Sequence, residues 1–400
     1  MLAYACDPDG SGEHWLGWGW AEQAAQAFDV HLFTPVKARA AIEKRAGHLG
    51  ITPHFVEISP RLRWWSERFG QAGLWWRKIV WARLAASAVG LQHARASFAV
   101  VHHTTFHTFR VPFYAASLGI PAVWGPIAGG ERAPSGFKKY LGSARWPEAW
   151  RIISNRLWLQ WPAVQRALQD ARILFLSNAI TRDFLPESCR GKCELVPANA
   201  LRPEDQEIEI DRTRNRTAPV SLLYVGNCVA RRSIPLVLEA LKTTTAPCRL
   251  IVVGDGPAFK EWRQCAADLG LEDRVEFRGQ VPRTDLPALY AAADALVFPA
   301  LRDSGGSALL EAMSKGLCVI CLDWGGPGEI VDDESGIKVS AASPAAAIAG
   351  FAEAFQRLHS DPTLRVRIGH AAAIRAREKF SWAEKRRLLE SAYRRLISAS

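Results

Sequence analysis

The residues best placed to do chemistry lie in one segment, FPALRDSGGSALLEAMSKG at 298–316. An apolar run ends near Pro299, a polar loop follows, and Ala308 to Met313 are good helix formers, so the spacing predicts a strand, a loop and a helix opening at Ser307. Gly305 and Gly306 let a ligand approach the backbone closely. The free N–H groups of the first helical turn then form an anion site, reinforced by the positive end of the helix dipole. Glu311 follows Ser307 by four residues, about 6 Å along a helix axis, which is roughly the distance between a nucleotide's ribose hydroxyls and its phosphates. Asp303, ahead of the turn, is placed to meet whatever is attached beyond the phosphates. On spacing alone a merely solvated Glu311 stands equally open, because acidic residues are common on helix surfaces.

Other chemistry-bearing residues are weaker candidates. His103 and His107 are spaced i, i+4, which suits a metal on a helix, but no acidic partner completes the set. His102 and His103 end the run SFAVVHH and, with His107 after it, line either a cleft at the strand's end or a polar loop with one buried imidazole. Cys318 and Cys321 form C-x-x-C inside an apolar strand pattern, where positions three apart point to opposite faces and cannot share a zinc. No metal ligand set is expected. Neither G-x-x-x-x-G-K-[ST] nor a G-x-G-x-x-G after a strand is present, and GDGP at 254–257 is too short to stand in for one.

The elements that must hold these residues alternate short apolar runs with longer amphipathic stretches. LAYAC, VHLFTP, SFAVVHH, PAVWGP and ILFLSN read as strands in the first half; VSLLYVG, RLIVVGDG, RVEFRG, ALVFPA, CVICLD and GIKV do so in the second. Such alternation implies parallel sheets covered on both faces, hence α/β domains that bind ligands at the carboxyl ends of their strands. The polar stretch at 203–217 reads as a linker between residues 1–202 and 218–380, and residues 381–400 as an amphipathic closing helix returning to the first domain. The uncharged stretch 111–130 is too rich in Pro and Gly to be one membrane helix.

The 400 residues carry 16 Trp, only 2 Met and a formal charge of +10, with 48% hydrophobic and 22% charged residues. Those values exclude a disordered or collagenous chain. The excess charge is lopsided: residues 1–200 hold 23 Lys+Arg against 14 Asp+Glu and 13 of the tryptophans. Residues 61–83, RLRWWSERFGQAGLWWRKIVWAR, concentrate both features, with five Trp and one Glu. An element lying on an anionic membrane and ordinary core packing both fit this composition. Base stacking is disfavoured, since no nucleic-acid motif accompanies it, and no nucleic-acid partner is expected. Eight irregularly spaced cysteines and the absence of a secretory signal point to a reducing, cytoplasmic setting, and the basic, Trp-rich first half to a peripheral place on the inner face of the membrane.

The D-x7-E of Asp303 and Glu311 resembles the E-x7-E signature of glycosyltransferase family 4, retaining nucleotide-sugar enzymes of the GT-B fold. The flanking order fits over roughly 220–340: YVGNCVARRS, LIVVGDGP, RVEFRGQVP, AADALVFPA, LEAMSKG and GGPGEIV. In the first half GSGEHWLGWGW and VWGPIAGGE, and FSW near the end, look like a polysaccharide-biosynthesis branch of that family. The resemblance implies two doubly wound Rossmann-like domains facing a central cleft. It implies that Glu311 binds the donor ribose, Asp303 the transferred sugar, and Ser304, Gly305, Gly306 and Ser307 the diphosphate. Backbone between Arg278 and Val281 would meet the base, and the loop at Gly12 and Glu13 would close over the donor.

Departures from the family pattern matter for rate. Asn227 and Arg232 stand where the family has an Arg and a Lys for the leaving diphosphate, with Arg231 available as a second cation. The first carboxylate is Asp, and no His follows PAVWGP. The expected function is therefore a retaining glycosyltransferase that moves a sugar from a nucleotide sugar to a polysaccharide, lipid-linked or lipid acceptor, with no cofactor and no obligatory metal. A catalytically weak homologue that binds nucleotide or glycan, or supports a partner enzyme, is the alternative.

Overall fold

A computed structural model describes residues 1–202 and 219–399, so the expected linker at 203–217 lies outside the described residues. The chain divides into two compact units: residues 1–130, 152–198 and 382–400, and residues 131–151 and 199–381.

The first unit is built on parallel strands β1 (Val30–Thr34) and β2 (Ile51–Phe55), and β3 (Val101–His103), β4 (Ala122–Ile127), β5 (Ile173–Leu176) and β6 (Cys193–Leu195). The order is β1-β2 and β3-β4-β5-β6, and Leu2 bridges both Phe33 and His103. The expected strand LAYAC is thus reduced to a single bridging residue, and β2 and β6 are additions. Both are short, and β2 carries Pro53 and His54 in place of a clean apolar run, which hides it from pattern reading.

The segment 61–83 separates by environment. Helix α3 (Pro60–Glu67) and the start of α4 (Gly70–Ala96) leave Trp64, Trp65, Phe69 and Trp76 exposed. Trp81 is buried and its Nε1 donates to Val56 O at 3.1 Å, while Trp75 packs against the first unit's core. The core reading therefore holds for Trp81 and Trp75, and the other rings of the segment face solvent.

The closing helix, α15 (Trp382–Ser398), packs within the first unit. Trp382 makes edge contacts with Trp15 at 5.4 Å and Trp20 at 5.8 Å, and a Cβ on Gly19 of α1 (Glu13–Ala25) would stand 2.1 Å from its ring. Lys385 is buried there, its ammonium donating to Pro197 O and lying 5.8 Å from the Trp20 ring. Burial pushes its pKa down to about 7. The folded chain then sheds a proton that the unfolded chain keeps until about 10.4, so stability rises with pH between about 7 and 10. Thermal melts from pH 7 to 9 should show the wild-type midpoint climbing relative to that of Lys385→Met, by on the order of 5 °C. Parallel slopes for the two proteins would show that this lysine stays charged when folded.

The second unit contains six parallel strands: β7 (Val220–Val225), β8 (Cys248–Val253), β9 (Val275–Gly279), β10 (Ala295–Phe298), β11 (Cys318–Leu322) and β12 (Ile337–Val339). Every run expected as a strand here is one. The order β12-β11-β10-β7-β8-β9 reverses direction between β7 and β10, which is the topological switch point of a doubly wound sheet. Helices cover both faces, with Leu222, Leu250 and Val297 in one core and Leu223, Leu296 and Val319 in the other. Cys318 and Cys321 fall into these two different cores, in keeping with their opposite facing on β11.

Residues 131–151 depart from the expected boundary of the first domain. Phe137, Tyr140 and Leu141 are buried in the same core as Val220, Leu236 and Trp262, and Tyr140 donates to Glu239 at 2.9 Å. Sequence continuity with VWGPIAGGE conceals this, because the apolar groups that recruit the segment lie some eighty residues or more downstream.

Candidate functional site

At the switch point two loops meet. After β7 the chain runs through Gly226 to Ser233, including a short 3-10 turn at Ala230–Arg232; after β10 it runs from Pro299 to Gly306 and enters α11 (Ser307–Ser314). Leu301 N donates to Arg231 O at 2.8 Å, joining them. Glycines make the approach possible: a Cβ on Gly254 would stand 1.9 Å from Gly226 O, and Gly306, at φ +47°, would drive one into Phe298 at 2.5 Å. The GDGP run thus has a packing role that its length concealed. Ser233 adopts φ +47° with a side chain, a strained conformation imposed directly after Arg232.

Asp303 is the hub. Its Oδ1 accepts from the N–H groups of Gly305 at 2.8 Å and Gly306 at 2.7 Å. Its Oδ2 is 2.6 Å from Arg232 Nη2 and 3.4 Å from Arg231 Nη1. This corrects the expectation that Gly305 and Gly306 offer free N–H groups to an anion: the aspartate, one turn short of the helix, folds back on them as an Asx turn does. Helix α11 has no side-chain cap, so its positive end beyond Gly306 is left for other partners.

Arg232 is incompletely satisfied. It lies over the Phe298 ring at 4.5 Å with a side chain 15% exposed, and only Nη2 is paired. Its Nε and Nη1 are buried and find no hydrogen-bond partner among the described residues. Unpaired guanidinium donors in a buried site cost free energy that an anionic ligand recovers. The surroundings favour such a ligand. Arg302 sits 3.1 Å from Glu148, which also takes Arg151 at 2.7 Å. Burial, then repulsion from Arg151, lowers the Arg302 pKa to about 10. For Glu148 burial alone would raise the carboxyl, but Arg151 and Arg302 outweigh it and hold it below the usual range. For Arg231 burial and the neighbouring Arg232 lower the pKa.

Glu311 stands on α11 with its side chain 13% exposed. Tyr290 OH donates to Oε2 at 3.0 Å and Arg283 Nη2 lies 3.3 Å from Oε1. It is a held carboxylate, not a free solvated one. Sequence reasoning missed Tyr290, Arg283, Glu148 and Arg302; only Arg302, adjacent to Asp303, carried a positional signal.

The remaining candidates are spread out. Asn227 is exposed, its carbonyl accepting from Tyr224 OH at 2.9 Å. Arg278 is exposed and pairs with Glu276 at 2.6 Å, while Val281 packs on the second unit's core. Ser304 is half-buried and Ser307 exposed. Gly12, at φ +57°, and Glu13 begin α1 in the first unit, where Glu13 Oε1 accepts from His107 N at 3.0 Å.

The histidines are not arranged on a helix as the i, i+4 spacing invited. His103 ends β3 and His107 lies in the irregular segment after it. His102 is fully engaged: Nε2 donates to Gly125 O at 2.7 Å, so Nδ1 accepts from Tyr393 OH at 2.6 Å. Burial pushes His102 and His103 down to about 3, leaving both neutral. No group of three or more His, Cys, Asp and Glu that could hold a metal occurs among the described residues.

Residues 205–375 match the family described as Glycosyl transferases group 1. The chain is 26% identical over 253 residues to the alpha-D-kanosaminyltransferase of Streptomyces kanamyceticus, covering 60% of this chain and 63% of that one. It is 36% identical over 156 residues to the D-inositol 3-phosphate glycosyltransferase of Corynebacterium glutamicum, covering 38% and 36%. The chain thus spans less than two thirds of either curated relative. Among solved structures, Anabaena Alr3699/HepE in complex with UDP aligns with a TM-score of 0.63 at 16% identity, covering 98% of both chains. Likeness of that kind shows the fold, which is GT-B with two Rossmann-like domains.

Proposed function

Because residues 205–375 match the glycosyl transferases of group 1, we propose that the whole chain is a nucleotide-sugar-dependent, retaining glycosyltransferase. The observation that carries this is Arg232, whose Nε and Nη1 lie buried and unpaired at the switch point of the second unit's sheet. A nucleoside diphosphate supplies the missing acceptors. Arg231, Arg232 and the α11 N-terminus stabilise the charge that develops as the sugar departs, without a metal in the scheme. Glu311 accepts from the ribose, and Asp303 contacts the sugar once its present partners release it. The departing diphosphate takes the acceptor hydroxyl's proton on the face it leaves, which gives retention.

The acceptor in this reading is a polysaccharide, a lipid-linked glycan or a lipid, met at an anionic membrane from the cytoplasmic side. The basic first half and the exposed Trp64 and Trp65 support it. That the UDP complex of the Anabaena protein shares the fold supports a nucleotide donor. A second reading, a homologue that binds without efficient turnover, is favoured by one feature: Asp303 already fills the Gly305 and Gly306 donors and faces both arginines.

Asp303→Asn separates binding from turnover. The amide oxygen can keep both glycine hydrogen bonds, while the two guanidiniums lose their internal counter-charge. Nucleoside diphosphate should bind about five- to tenfold more tightly, and sugar transfer should fall by at least about tenfold. The direct assay offers UDP-, GDP- and ADP-sugars with lipid-linked acceptors, follows diphosphate release and assigns the product anomer by NMR. Transfer with inversion would overturn the mechanism. No release from any donor would leave only the binding reading standing.

A further inference from the structure

Helix α5 (Arg145–Gln160) turns an apolar stripe toward water. Trp146, Trp150, Ile153 and Leu157 are spaced 4, 3 and 4 residues apart, which places them within about 60° of one another on a helical wheel and along about 16 Å of axis. All four are exposed, at 72%, 65%, 53% and 61%. The buried side carries polar groups together with Leu159, which joins the first unit's core. In the second unit Glu148 is held by Arg151 and Arg302; in the first, Asn155 accepts from Arg110 Nε at 2.7 Å and donates to Gly129 O at 2.5 Å. A surface helix ordinarily turns its apolar stripe inward, and an exposed stripe of this size marks an interaction surface.

The charges around the stripe select its partner. Between 132 and 160 the only carboxylate is Glu148, which is buried, whereas Lys138, Lys139, Arg145 and Arg156 are exposed. Arg145 and Arg156 lie along one edge of the stripe, about 80–100° from Trp146. Indole rings beside cations suit the headgroup region of an anionic bilayer. A second copy of the chain docked through the same face would set these cations against their own images. Among the described residues no helix is long and apolar enough to cross a membrane, so any such contact lies along the surface.

We propose that the exposed face of α5 inserts into the headgroup layer of an anionic lipid surface. This rests on the membrane-held acceptor proposed above for its setting, and on α5 alone for its physics. The test is flotation of the full-length protein with vesicles of phosphatidylcholine, alone or mixed with phosphatidylglycerol. Wild type should float with the mixed vesicles and stay in solution with the neutral ones. W146S/W150S should reduce the floated fraction about tenfold, and K138E/K139E should reduce it selectively with the anionic mixture.

Both variants keep the groups that hold α5, and unchanged release of nucleoside diphosphate would confirm that they fold. Three results overturn the proposal: no flotation of wild type, flotation of both variants at the wild-type level, or a wild-type dimer that W146S/W150S abolishes. Loss only on W64S/W65S would assign the contact to α3 and likewise overturn it. A chain that floats through α5 yet releases no diphosphate from any donor would sink the proposed activity and leave this inference intact.

Discussion

Replacing Arg232 with alanine should lower kcat/KM for sugar transfer by about 10²–10³-fold, with most of the loss in kcat. The guanidinium is fixed by stacking on Phe298 and by one bond to Asp303, so it is preorganised for an anion before any ligand arrives. Charge on the diphosphate grows as the sugar leaves, and a donor already in place contributes more to that state than to the bound substrate. Arg232→Lys restores the charge but not the planar fork, so it should recover only part of the rate. The fold should survive both changes, because Asp303 retains Arg231 and the two glycine N–H groups. A kcat/KM within about threefold of wild type in Arg232→Ala would remove this residue from the mechanism.

Glu311→Ala should weaken the nucleotide about 10²-fold and carry that loss into kcat/KM, with kcat less affected. Two hydroxyl bonds to a carboxylate are worth about 1.5–3 kcal/mol each, part of which water and the freed Tyr290 return. Loss of ribose contact is mainly loss of uniform binding, so it appears in KM. This KM-dominated pattern should contrast with the kcat-dominated one at Arg232. Glu311→Gln, which keeps one acceptor oxygen, should fall between alanine and wild type. If Glu311→Ala instead lowers kcat alone, the carboxylate acts at the sugar and the orientation of the donor in the site must be reversed.

What could be read from the residues was set by how local each feature is. The strand, loop and helix around 298–316 follow from β-branched and aromatic residues, two glycines and a run of helix formers, all within one window. The second unit's six strands were legible for the same reason, since each is a short apolar run between turn residues. The first unit was less so: Leu2 makes only a bridge, and β2 contains a proline and two polar residues. Pairings across long sequence separations left no local trace. Arg232 meets Asp303 from 71 residues away and His102 meets Tyr393 from 291 away.

The more instructive failures concern burial. Residues 61–83 gave no clean apolar stripe because their rings are divided between core and solvent: Trp81 inside, Trp64 and Trp65 outside. In α5 the pattern was present but its sign was not. Periodicity places Trp146, Trp150, Ile153 and Leu157 on one face without saying whether that face meets the core. The ion pairs of Glu148, the hydrogen bonds of Asn155 and the burial of Leu159 make the opposite side the buried one. Likewise Asp303 was expected beside a ligand, and its capture by Gly305, Gly306 and Arg232 emerged only from three-dimensional geometry.

The central claim is that the loops after β7 and β10 hold a nucleoside diphosphate through Arg232. Isothermal titration of the full-length protein with UDP, GDP and ADP tests it directly. At least one should bind with a Kd of about 1–100 μM, and because the free diphosphate already carries the charge that develops only as the sugar departs, its binding should weaken about tenfold or more in Arg232→Ala even though KM for the donor changes less than kcat. No binding of any of the three to a folded wild-type protein, or equal binding to Arg232→Ala, would contradict the account.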